Sequence, residues 1–136
     1  MIALRCQHYR NRARDFLDGM KFLQEDLDVF GYSSALLGIH GAISYADALR
    51  IGMDSKKLTS ENHLDAAGDL ESLLNSRRFE KQQGIKHLKM LLARKSMVSY
   101  AAQTVRKNEL EDIVKRAIRF ADWAEITGRR LGIEGW

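Results

Sequence analysis

The 136-residue chain contains no proline, and its only cysteine is Cys6. Proline interrupts helices and sheet interiors, so its absence, together with frequent Leu, Ala, Lys, Arg and Glu, favours helices joined by short connections. A single cysteine excludes an intrachain disulfide framework and a zinc site built from several cysteines. The length suits one core. We therefore expect residues 1–136 to form a single domain.

Long uncharged runs are also missing from the sequence. The longest such run, residues 31–46, is shorter than the roughly 20 residues that span a bilayer as a helix, and it contains His40 and three serines. The first residues of the sequence show no apolar core followed by a small-residue cleavage site, as a signal peptide has. We therefore expect a cytoplasmic protein with no membrane partner.

Apolar side chains recur at helical spacing along most of the chain. The first stripe runs from Tyr9 to Phe30, and Gly31 is placed to end that helix in a left-handed cap. Three later stripes predict helices over about residues 64–74, 85–100 and 106–128, the last beginning with a capping-box spacing at Asn108 and Glu111 and stopping at Gly128.

A second helix is predicted over about residues 33–51, and it is rich in glycine and alanine. A thin helix of this kind allows its neighbours to approach closely, so we expect it at the centre of the molecule. The five segments together predict an all-α fold, an antiparallel up-and-down bundle of four or five helices.

Positive charge is concentrated in one part of the chain. The net charge is +4, yet residues 77–107 hold nine basic side chains against the single acid Glu80. Such an excess can attract phosphate backbones, or it can be a solvated face that acids of neighbouring helices balance. We expect the fourth helix to form a phosphate- or nucleic-acid-binding surface, at whose end a base can stack on an aromatic ring. Its candidate residues are Lys86, Lys89, Arg94, Lys95 and Tyr100.

Residues suited to metal or cofactor chemistry form no recognisable motif. His40, His63 and His87 lie on three different predicted helices without close ligand spacing, and the glycines are scattered singly. We therefore expect neither a metal nor a cofactor. His40 and Asp47, two turns apart on one helical face, form a candidate pocket with His63, although a lone histidine on a buried helix is more often a hydrogen-bonded core residue.

Two parts of the sequence resemble the HEPN domain family. They are the thin helix 36–49 and the pair of segments 91–100 and 109–123, and the loop in which Asn62 and His63 open a helix is similar to one bacterial branch of that family. The matched pieces cover most of residues 33–127. The resemblance implies a helical bundle of four or five helices that is commonly a homodimer.

The nuclease motif of that family departs from its usual form in this chain. In HEPN ribonucleases an arginine precedes a histidine by a short spacer, and the two act on the RNA phosphate and the ribose 2′-hydroxyl. The corresponding stretch is 95–100, where Lys95 replaces the arginine and Tyr100 replaces the histidine; Arg94 is one position out of register. Lysine binds phosphate without the bidentate fork of arginine, and a tyrosine hydroxyl, with a reference pKa near 10, is a poor base at neutral pH.

The sequence therefore leads to three hypotheses. The first is a non-catalytic, dimeric HEPN-like bundle that binds RNA, a nucleotide or a partner protein near Lys95 and Tyr100, and the resemblance implies a small nucleotidyltransferase as one such partner. The second is a metal-independent RNA endonuclease of toxin or defence type, with Lys95 and Tyr100 catalytic and His40 or His63 assisting across the dimer. The third is a purely structural or interaction bundle.

Overall fold

A computed structural model describes residues 2–54 and 65–136, and in this part of the chain all regular structure is helical. Five α-helices follow one another: α1 (Ile2–Leu23), α2 (Leu27–Met53), α3 (Ala66–Ser76), α4 (Gly84–Tyr100) and α5 (Lys107–Arg130). Short connections join α1 to α2 and α4 to α5. The all-α, antiparallel up-and-down bundle predicted from the sequence is confirmed. Asn62 and His63 lie outside the described residues.

The apolar stripe from Tyr9 to Phe30 does not form a single helix. A 3₁₀ turn (Gln24–Asp26) interrupts it, and the carboxylate of Asp26 accepts a hydrogen bond from the Val29 backbone N–H at 3.3 Å. This side chain caps the start of α2, and Phe30, with non-helical φ −112° and ψ 20°, kinks the helix directly before Gly31. The predicted cap at Gly31 is wrong: this glycine lies inside α2, where a Cβ would come within 2.6 Å of the Leu110 side chain.

The central position predicted for the thin helix is confirmed. Helix α2 packs against α1, α3, α4 and α5, and every residue from 41 to 51 is buried. Gly38 and Gly41 permit this packing, because a Cβ at either position would lie 2.8 Å from Met20 Sδ or 2.0 Å from Leu17 Cδ2. Small residues thus bring the backbones of α1 and α2 together.

The last helix continues past its predicted stop. Gly128 stays helical beneath the Trp136 indole, to which a Cβ would approach within 2.0 Å. The helix ends two residues later, where Gly132 adopts φ +66° and the N–H of Ile133 donates to the carbonyl of Gly128, as in a Schellman motif. The predicted capping box is also wrong, since no side chain caps the amino end of α5.

In the described part of the chain, no helix is long and apolar enough to cross a membrane.

Candidate functional site

Two of the four basic side chains predicted on α4 are paired with acids of neighbouring helices. Lys89 Nζ lies 3.5 Å from Glu71 of α3, and the Arg94 guanidinium lies 2.6 Å from Asp112 of α5. Asp112 also accepts from Arg116, and these arginines hold the pKa of its carboxyl below the usual range. The balancing of charge across helices that the sequence left open therefore applies to the middle of α4.

Lys86 and Lys95 remain outside these pairs. Neither forms an ion pair or a side-chain hydrogen bond within residues 2–54 and 65–136. They are nine residues apart, which at about 100° per residue places them on opposite sides of the helix. The four predicted cations thus do not form one continuous surface, and the two unpaired ones face different surroundings.

Lys95 opens onto a groove of about 460 Å³ between α2 and α4, which we call the α2–α4 groove. Its lining includes Tyr100, the other candidate of the altered nuclease motif, and His40, which the sequence analysis assigned to a separate pocket. The structure therefore brings three predicted residues together in one place. The lining residues are Tyr32, Ser33, Leu36 and His40 from α2, and Lys95, Val98, Ser99 and Tyr100 from α4.

The two tyrosines place aromatic rings at this groove in different ways. Tyr100 is the last residue of α4, and it is 85% exposed because the chain leaves the helix in an extended conformation at Ala101. Tyr32 is 43% exposed, and its hydroxyl accepts a hydrogen bond from the Val105 backbone N–H at 2.8 Å. The Tyr100 ring is therefore free to reorient, whereas the Tyr32 ring is fixed at its hydroxyl end. Both rings offer surface for stacking.

Tyr32 is not among the residues predicted from the sequence. Its signal was present, because Tyr32, Leu36 and His40 follow each other at four-residue spacing and share a face of α2. The predicted start of the helix at about residue 33 excluded it. The structure places Tyr32 inside α2 (Leu27–Met53), two residues after the kink at Phe30, so it shares this face with Leu36 and His40.

His40 forms the inner part of the groove. Its imidazole makes an edge contact with the Phe16 ring of α1, with ring centroids 6.2 Å apart, and the side chain is half-buried. Packing against α1 thus limits the orientations of the ring beside Lys95. An imidazole in this position can donate or accept a hydrogen bond.

Asp47 does not line this groove with His40. Its carboxylate, 5% exposed, lies 2.9 Å from Arg50, and Arg50 reaches Asp69 of α3 at 2.6 Å. Burial raises the pKa of Asp47 to about 6, opposed by the attraction of Arg50. We call Asp47, Arg50 and Asp69 the buried ion network; it joins α2 to α3, and its location argues for a structural role.

The residues considered for other chemistry are not arranged for it. The thiol of Cys6 is buried, burial raises its pKa, and Sγ donates to the carbonyl of Ala48 at 3.4 Å. Across the described ranges, no group of three or more His, Cys, Asp and Glu side chains is placed to hold a metal ion.

The chain was compared with protein-family models, with curated proteins and with solved structures, and no match was found in any of these comparisons.

Proposed function

We propose that this protein is a HEPN-like helical bundle that binds single-stranded RNA in the α2–α4 groove without cleaving it. The observation that carries the proposal is an unpaired lysine, Lys95, beside two exposed tyrosine rings in one groove. A cation can neutralise a phosphate, while aromatic rings stack on bases that are not already paired. Together they fit an unpaired strand.

The dimensions of the groove also favour a short unpaired segment. Its volume of about 460 Å³ falls within the range of roughly 300–1,000 Å³ typical of ligand sites. Duplex recognition relies on several cations along the phosphate backbones, whereas Lys89 and Arg94 already contact acids. A segment of one or two nucleotides, with one phosphate at Lys95, matches the volume of the groove and its unpaired cation.

A second candidate function is metal-independent RNA cleavage. It is favoured by the position of His40, which lines the same groove as Lys95 and Tyr100 within one chain. In such a reaction His40 would accept the proton of the ribose 2′-hydroxyl, while Lys95 would stabilise charge on the phosphate. We rank it second because the two motif positions hold lysine and tyrosine in place of arginine and histidine.

The test is binding of a fluorescent single-stranded RNA at low and high salt, with the same samples run on a denaturing gel. We expect salt-sensitive binding and intact RNA. Lys95→Ala should weaken binding about tenfold, as expected for loss of a charged contact. The adjacent Arg94→Ala removes the same charge from a position paired with Asp112 and should change affinity less than twofold.

The remaining outcomes distinguish the alternatives. Cleavage without added metal that disappears in His40→Ala and Lys95→Ala would replace RNA binding by the ribonuclease function. Absence of both binding and cleavage would leave a structural or interaction bundle, for which pull-down with a small nucleotidyltransferase tests the partner that the HEPN resemblance implies.

Light scattering at micromolar concentration tests the homodimer, for which twice the monomer mass is expected.

A further inference from the structure

A second groove, of about 400 Å³, lies between α4 and α5; we call it the α4–α5 groove. It is lined by residues at the amino end of α4 and along one face of α5, among them Gly84, His87, Arg119, Trp123 and Arg130. None of these residues belongs to the binding surface predicted from the sequence. Lys86, which does belong to it, neighbours His87 in the chain but does not line the groove. The groove shares no lining residue with the α2–α4 groove.

Two arginines give this groove its charge. Arg119 and Arg130 are eleven residues apart, three helical turns, so both project from the same face of α5 over a length of about 16 Å. Both are exposed, and within the described residues neither has an ion pair or a side-chain hydrogen bond. Asp122 lines the groove between them, which leaves an excess of positive charge.

His87 adds a hydrogen-bond donor to the groove, and its contact with Arg116 determines which ring nitrogen carries the proton. The side chain is only 9% exposed, and its Nδ1 lies 3.3 Å from the guanidinium of Arg116. Because a guanidinium can only donate, Nδ1 accepts and the proton of the neutral ring resides on Nε2. Burial, and the positive charges of Arg116, Lys86 and Arg119, lower the pKa of His87, so near neutral pH the ring keeps this single N–H.

The floor of the groove is apolar. The indole of Trp123 lies directly against the backbone of Gly84, where a Cβ would come within 2.2 Å of the ring, and its Nε1 donates to the carbonyl of Lys81 at 2.8 Å. Ile126, 40% exposed, continues this surface along α5. A positive rim over an apolar floor suits a ligand that has an anionic group and an apolar or flat body.

We propose that the α4–α5 groove binds a small organic phosphate ester. Arg119 and Arg130 contact the phosphate, Nε2–H of His87 donates to it, and the organic part lies on Ile126 and on the small part of Trp123, 7%, that stays exposed. Guanidinium groups match phosphate oxygens in geometry as well as in charge. This site is independent of RNA binding in the α2–α4 groove.

The test is isothermal titration of the full chain with three probes: adenosine 5′-monophosphate, inorganic phosphate and adenosine. We expect the monophosphate to bind more tightly than inorganic phosphate, and adenosine not to bind. Arg119→Gln and Arg130→Gln should each weaken monophosphate binding about tenfold, the loss expected for one charge-assisted contact. Arg129→Gln is the matched control, because it removes an exposed charge from the adjacent position, which does not line the groove.

Several results would overturn the proposal. Absence of monophosphate binding at millimolar concentration would do so, as would an equal loss in Arg129→Gln, which would indicate attraction by net charge alone. Equal affinity for inorganic phosphate would remove the role of the apolar floor. If Lys95→Ala abolished binding, the ligand would occupy the α2–α4 groove; if Lys95→Ala bound normally, the two sites would be shown to be separate.

Discussion

Two regions of α2 that lie on the same helical face differ in what surrounds their polar side chains. At Asp47 and Arg50 the face is buried, and each charge has a partner within 3 Å. Nearer the amino end of the helix, at Tyr32 and His40, the same face borders an open groove shared with Lys95 of α4. The first region satisfies its charges internally, whereas the second places a half-buried, unpaired cation beside two exposed aromatic rings.

The difference shows why charge seen in a sequence does not by itself identify a binding site. A buried charge without a partner is costly, so buried arginines and carboxylates occur paired and contribute to the fold. An unpaired cation that still reaches solvent, as Lys95 does at the groove, costs less in stability and can be used for a ligand. The comparison therefore predicts that substitutions in the buried ion network change stability, and that substitutions in the α2–α4 groove change binding.

The largest expected effect is on stability, in Arg50→Met. The substitution removes the cation that Asp47 and Asp69 share, and breaking a buried ion pair typically costs about 3–5 kcal/mol. Urea denaturation measures the loss. Lys89→Met is the control, since its exposed pair with Glu71 should contribute at most about 1 kcal/mol. Equal losses of unfolding free energy in the two variants would show that burial does not determine how much these ion pairs contribute to stability.

Tyr100→Ala should affect binding without affecting stability. Loss of one stacked base costs about 1–3 kcal/mol of binding free energy, and the ring makes little contact with the core because it is 85% exposed. Fluorescence anisotropy with single-stranded RNA measures the change, and thermal melting checks the fold. Tyr100→Phe keeps the ring and should bind like the unmodified chain. If the Phe variant were as weak as the Ala variant, the hydroxyl and not the ring would be the contact.

The buried ion network should also give stability a specific pH dependence. Burial raises the pKa of Asp47 to about 6 from its ordinary value of 3.8. Between pH 3.8 and about pH 6 the folded state therefore holds a proton that the unfolded state has lost. This contribution to stability is complete below pH 3.8 and is lost as the pH rises through about 6, with a slope of at most about 1.4 kcal/mol per pH unit.

Asp47→Asn isolates this effect, because other titrating groups contribute equally to both proteins. Over pH 4–6 the unfolding free energy of the unmodified chain should fall with pH more steeply than that of the variant, as measured by urea denaturation at fixed ionic strength. Parallel curves would contradict the raised pKa of Asp47.

The smallest expected effect is at Arg78, an exposed cation of the carboxyl end of α3. It adopts φ 56°, the one positive φ among the described non-glycine residues. Arg78→Gly should raise the unfolding free energy by about 0.5–1 kcal/mol through relief of this conformation, and RNA affinity should stay within twofold. An affinity loss in Arg78→Gly would show that RNA binding follows net charge.

Gly132→Ala places a side chain at φ +66° with open space around it, and should lower stability by about 1 kcal/mol.

Much of the fold could be predicted because burial imposes a period on the sequence. The stripe of α5, from Leu110 to Ala124, is buried as expected, and the small residues of α2 placed that helix at the centre. Helix ends were predicted less well, since they depend on single contacts. The cap at Asp26 and the left-handed Gly132 decide two boundaries that periodicity alone could not locate.

The candidate site could be predicted only in part. Lys95 and Tyr100 were identified from the chain, but their position beside His40 depends on how α4 packs against α2. Pairing depends equally on contacts between helices, so the sequence did not show that Arg94 reaches Asp112 while Lys95 stays unpaired. Arg119 and Arg130 were not noticed for the same reason: their spacing on α5 is visible, but the groove beside α4 is not.

The most direct test of the central claim is an NMR titration of the ¹⁵N-labelled chain with a short single-stranded RNA, following each backbone amide. We expect shifts at residues 32–40 of α2 and 95–100 of α4, and none around Asp47, Arg50 and Asp69 in the buried ion network. Shifts at that network, or confined to the α4–α5 groove around Arg119 and Arg130, would contradict the assignment of RNA to the α2–α4 groove.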